Sequence, residues 1–114
     1  MSIPSALSPE LWRLLRTLRE ALERRYGADL EDLILFGSEA RGEARQDSDS
    51  DIDIVLVLRR QVQPGAEIAR LGDILADLNL SYGRLVSVIP TSQSHYQQAL
   101  GPFWRNVRAE GIRL

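Results

Sequence analysis

Apolar positions along the chain follow two periods, and each marks its own elements. Leu11, Leu14, Leu15, Leu18, Leu22 and Tyr26 recur at helical spacing, while Arg13, Arg16, Arg19, Glu20, Glu23 and Arg24 fill the other side. Ser8-Pro9-Glu10 ahead of this stripe supplies an N-cap, a proline at the first helical position and an acid in the first turn, and Gly27 supplies the C-terminal cap. The pattern predicts a helix over 9–26. A short apolar run over 33–36 reads as a buried strand. A turn over 37–42 starts a short helical segment, and 43–50 is loop. Residues 51–58 form a second strand, long enough to be central.

After a connection at 61–65, Ile68, Leu71, Ile74, Leu75 and Leu78 define one face of a helix over about 66–80. Ser81-Tyr82-Gly83 is a turn. A third strand covers 84–89, and Pro90 is expected to end it. A short helix over 91–100, capped by Thr91 or Ser92, gives way at Gly101-Pro102 to another helical stretch through about Ala109. Gly111 stops that stretch, and 112–114 can add an edge strand. The order predicts an α/β (α+β) fold: one small mixed β-sheet with helices packed on one face. At 114 residues the expectation is a single domain over 1–114.

Composition narrows the chemistry. There is no cysteine and only one histidine, which excludes thiol catalysis, disulfides and sites built from Cys or paired His. All 14 cations are arginine, so no lysine is available as a phosphate hook or Schiff base. A net charge of −2 offers no basic field, and direct nucleic-acid binding is not expected. The N-terminus lacks a basic segment followed by an apolar core, and no apolar run reaches membrane-spanning length. A soluble, cytoplasmic protein is expected. His95 reads as a surface residue, and Trp12 and Trp104 read as packing anchors. The tract 102–108 reads as one amphipathic helix. The apolar stripes leave a homo-oligomer open.

The chemistry concentrates in 33–58. In a strand, residues i and i+2 share a face with Cα atoms roughly 6.5–7 Å apart. Asp51 and Asp53 therefore stand side by side, Val55 and Val57 continue their face, and Ile52, Ile54, Leu56 and Leu58 line the other. Two acids at the head of a buried strand call for a cation, and Mg²⁺ takes carboxylate and phosphate oxygens together. Gly37 permits close approach of backbone to a phosphate, Ser38 adds a hydroxyl, and Arg41 is the nearby cation for phosphate charge or for orienting the Asp-rich loop. The set suits a nucleoside triphosphate and its metal. Gly-Ser or Asp-x-Asp alone would mean little; the ordered combination between two apolar strands carries the signal.

Gly37-Ser38-Glu39-Ala40-Arg41-Gly42 followed by Ser50-Asp51-Ile52-Asp53-Ile54-Val55 resembles the signature of the minimal nucleotidyltransferases (MNT), within the DNA polymerase β-like nucleotidyltransferase superfamily. The resemblance implies a small palm-like fold and Mg²⁺-dependent transfer of a nucleoside monophosphate, usually from ATP. It implies Asp51 and Asp53 as metal ligands and catalytic acids, and Gly37 and Ser38 as holders of the triphosphate tail. Stand-alone domains of this kind resemble the antitoxins of HEPN/MNT toxin–antitoxin pairs, which implies AMP transfer to a HEPN-domain toxin.

Two departures remain. Asp49-Ser50-Asp51 also has the Asp-x-Asp form; Asp51/Asp53 is preferred because Ile52 and Ile54 supply the apolar alternation. The superfamily's third carboxylate falls on the third strand, where this chain carries Ser87. Serine neither ligates Mg²⁺ as a carboxylate does nor acts as a general base at neutral pH. The alternative is therefore a catalytically degenerate antitoxin or regulator that acts by binding alone.

Overall fold

The computed structural model describes residues 7–37, 40 and 51–114. Helix α1 spans Pro9–Tyr26, and its start is closed by the Ser8 hydroxyl accepting from the Leu11 N–H at 3.1 Å. A 3-10 turn, Gly27–Asp29, leads into strand β1, Leu30–Phe36. Strand β2 is Ile52–Leu58, helix α2 is Pro64–Tyr82 and strand β3 is Val86–Ser92. Two short helices follow, α3 (Gln93–Gln98) and α4 (Pro102–Glu110), and Ile112–Arg113 forms β4.

The four strands lie in the order β3-β2-β1-β4. β2 is central: it runs antiparallel to β1 and parallel to β3. Its alternation sorts side chains as the sequence pattern predicts. Ile52, Ile54, Leu56 and Leu58 join Leu33, Leu35, Val86 and Val88 beneath the apolar faces of α1 and α2, in the main core. Val55 and Val57 point to the other side, where Ile34, Val107 and Trp104 close a smaller core. Helices thus cover one face fully, and α3 and α4 add partial cover to the second. Gly111, between α4 and β4, is required by space: a Cβ there would lie 2.4 Å from the Ile34 side chain and 2.5 Å from the Val107 carbonyl oxygen.

Two local expectations are corrected. Pro90 does not end β3; it lies inside the strand and is buried. The Leu85 carbonyl accepts from the Ile52 N–H at 2.9 Å, so Leu85, Ser87, Ile89 and Thr91 turn their peptide groups to β2. Val86, Val88 and Pro90 turn theirs to the open edge, where a missing N–H costs the ladder nothing. On α2, Ile68 is 48% exposed, and the buried stripe runs through Glu67, Leu71, Ile74 and Leu78. Glu67 takes the core position because three partners meet it. Tyr26 donates to its Oε2 at 2.6 Å, Arg60 reaches its Oε1 at 2.8 Å, and Arg70 stands at 3.7 Å. Burial works to raise the Glu67 pKa, but these hydrogen bonds and charges outweigh it, and the net shift is downward.

Candidate functional site

The site lies at the end of the sheet where β1 finishes and β2 and β3 begin. Phe36, Asp53 and Ser87 are register partners across the three strands, so their side chains share one face. Asp51 sits two residues before Asp53 at the exposed head of β2. Asp51 is close enough for its charge to act on Asp53, and Ser87 stands beside Asp53 on the adjacent strand.

Gly37 closes the site from the β1 side, for two separate reasons. Its φ is +78°, in the left-handed region that side chains disfavour. A Cβ at this position would also lie 2.5 Å from Asp53 Oδ2. The missing side chain is the space that the carboxylate occupies. Burial raises the Asp53 pKa, and the charge of Asp51 raises it further. Neither acid forms an ion pair with a described residue. Among the described residues no group of three His, Asp or Glu side chains that could hold a metal occurs. Ser38, Arg41 and Asp49 lie outside the described residues.

Beside Gly37 is a cavity of about 250 Å³ whose lining includes Phe36, Gly37, Ala40, Phe103, Asn106 and Glu110 but not Asp53. Sequence reasoning did not find it. Its signal in the sequence is the aromatic tract after Gly101-Pro102, which contributes Phe103 to the lining. A larger cavity of about 420 Å³, between α1 and α2, lies on the opposite side of the sheet from the acids. Of its two arginines, Arg25 is already held by a bidentate pair of 2.8 Å bonds to Asp73. His95 is an exposed residue edge-on to Trp104, as expected. Among the described residues no helix is long and apolar enough to cross a membrane.

A mixed four-stranded sheet with paired acids at the head of its central strand defines a class of nucleotide-transferring domains. The chain belongs to the nucleotidyltransferase domain family, whose profile matches residues 15–104. Its type is the minimal nucleotidyltransferase. It is 33% identical over 92 residues, 80% of this chain and 84% of the other, to a Methanocaldococcus jannaschii protein provisionally named protein adenylyltransferase MJ0604. A solved structure provisionally described as a minimal nucleotidyltransferase superposes with a TM-score of 0.56 at 29% identity, covering 97% of this chain and all of that one. The MNT antitoxin complexed with the tri-AMPylated HEPN toxin of Shewanella oneidensis shares the fold, with a TM-score of 0.50 at 18% identity, covering 88% of this chain and 70% of that one.

Proposed function

We propose that this protein transfers AMP from ATP to a protein partner, with Asp51 and Asp53 as its metal-binding acids, and that the partner is a HEPN-type toxin. The observation that carries the reading is the placement of Asp53 against the backbone of Gly37, next to Asp51, with no arginine among the described residues to balance them. The donor set fits a hard divalent cation. Two carboxylates supply oxygen ligands, and their mutual repulsion and partial burial are what a bound cation relieves. Mg²⁺ held there would neutralise phosphate charge and polarise the α-phosphate. Gly37 and Ser38 would cradle the triphosphate tail, and Arg41 would balance its charge. An acceptor hydroxyl oxygen bonds to the α-phosphorus, the bond from that phosphorus to the bridging oxygen breaks, and pyrophosphate leaves. The hydroxyl proton passes to solvent.

The AMPylated toxin in the complex with the MNT antitoxin supports this choice of partner. The test is label transfer from ATP labelled at the α-phosphate, with Mg²⁺ and lysate of the source. A labelled protein band should appear with the wild type and vanish with Asp51→Asn/Asp53→Asn. Undiminished labelling by the double variant would refute the assignment.

One observation favours a second reading. Ser87 occupies the register position beside Asp53, where a third carboxylate would complete the set. A protein that neutralises its partner by contact alone would form an equally stable complex without ATP.

A further inference from the structure

Apart from Gly37, the residues lining the cavity beside it have no part in the chemistry above. Phe36 connects the two: it is the register partner of Asp53 and also a wall of the cavity. Phe103 lines it too, 42% exposed yet packed against two other rings. Its ring meets Phe36 edge-on at 5.4 Å and Trp104 edge-on at 5.0 Å. An aromatic ring supported by edge contacts and partly exposed is a stacking platform. At about 250 Å³ the space falls below the ~300–1,000 Å³ that encloses a whole drug-sized ligand. It suits one planar ring system whose remaining parts lie outside. Glu110 in the lining opposes a phosphate there, so the triphosphate tail must lie on the other side of Gly37.

We propose that this cavity holds the base of the nucleoside triphosphate and that Asn106 and Glu110 select adenine. The proposal rests on the nucleotidyltransferase reading and specifies its substrate. Adenine presents an amine donor beside a ring-nitrogen acceptor. The Glu110 carboxylate accepts from the amine, and the Asn106 amide donates to the ring nitrogen. Guanine presents a carbonyl oxygen where adenine has the amine, and this oxygen would face the carboxylate of Glu110 without a proton between them. Selection therefore comes from acceptor–acceptor repulsion as well as from the bonds formed.

The test is calorimetric titration of the purified protein, with Mg²⁺ present, against ATP, GTP and inorganic tripolyphosphate. The wild type should bind ATP about tenfold or more tightly than either of the other two. Phe103→Ala and Asn106→Leu should each remove most of that advantage and leave tripolyphosphate affinity unchanged. Glu110→Gln should narrow the gap between ATP and GTP. Both Phe103 and Asn106 are solvent-exposed, so their replacement leaves the core intact. If the wild type binds tripolyphosphate as tightly as ATP, the base is not held and the proposal falls while the triphosphate site stands. Equal weakening of ATP and tripolyphosphate by the variants would overturn it too. A wild type that binds neither overturns the nucleotidyltransferase reading and this proposal together.

Discussion

The two ends of β2 treat negative charge in opposite ways. At the far end, Glu31 pairs with Arg59, and Arg60 bridges Asp29 at 3.4 Å and Glu67 at 2.8 Å. Arg60 also lies over the Tyr26 ring, 5.7 Å from its centre. Each of these acids has a cation, and Glu67 is stable as a carboxylate even inside the core. At the near end, Asp53 is partly buried beside Asp51, and neither has a cationic partner among the described residues. One end uses arginine to finish the fold. The other leaves its acids without an arginine among the described residues, the arrangement on which the proposed cation site rests.

The comparison breaks most severely at the near end. Asp51→Asn/Asp53→Asn should lower label transfer at least about 100-fold. Without divalent cation the double variant should melt above the wild type, because it loses the like-charge repulsion. Adding Mg²⁺ should raise the wild-type melting temperature and leave that of the variant unchanged; an equal shift in both would refute the metal assignment.

At the far end, Glu67→Ala leaves Arg60 and the Tyr26 hydroxyl without their acceptor. It should cost about 1–3 kcal/mol in urea denaturation, reduced from a fully buried pair because Arg60 is one-third exposed. Gly37→Ala should cost about 1–2 kcal/mol through its positive φ. It should also reduce transfer, since the added methyl displaces the Asp53 carboxylate. A variant with full transfer would show that the close approach is incidental.

The smallest effect belongs to the exposed Arg25–Asp73 pair. The Arg25 hydrogen bonds hold the Asp73 carboxyl at about 2, below its ordinary 3.8. Because folding lowers this pKa, the contribution is complete above 3.8 and fades as pH falls through about 2. Asp73→Asn should lower the melting temperature slightly at pH 7, and the difference should close at acid pH and in high salt. A difference that persists at low pH would assign it to packing.

Elements whose ends carry capping chemistry were legible residue by residue. Ser8-Pro9 and Gly27 bound α1 where the structure has it, and the alternation of 52–58 placed Asp53 and the valines on one face. What escaped depends on neighbours remote in sequence. Pro90 is tolerated because β3 lies at an edge, and a strand's place in a sheet is not a local property. Glu67 replaces Ile68 in the core because Tyr26 and Arg60 arrive from other elements to hold it. The family motif pointed to Gly37, but its reason, the space taken by Asp53, appears only when β1 and β2 are paired. The cavity needed α4 to fold back over the end of β1, which no local pattern announces.

Pro90 has a consequence beyond the strand that contains it. Among the described residues β3 is an open edge, and open edges invite other chains to add a strand, the first step of edge-to-edge aggregation. A strand laid along this one would reach Pro90 and find a ring carbon where its carbonyl needs a donor. The residue that leaves the internal ladder intact also makes the exposed side a poor template, so the sheet is protected against growth without a charged side chain on that edge.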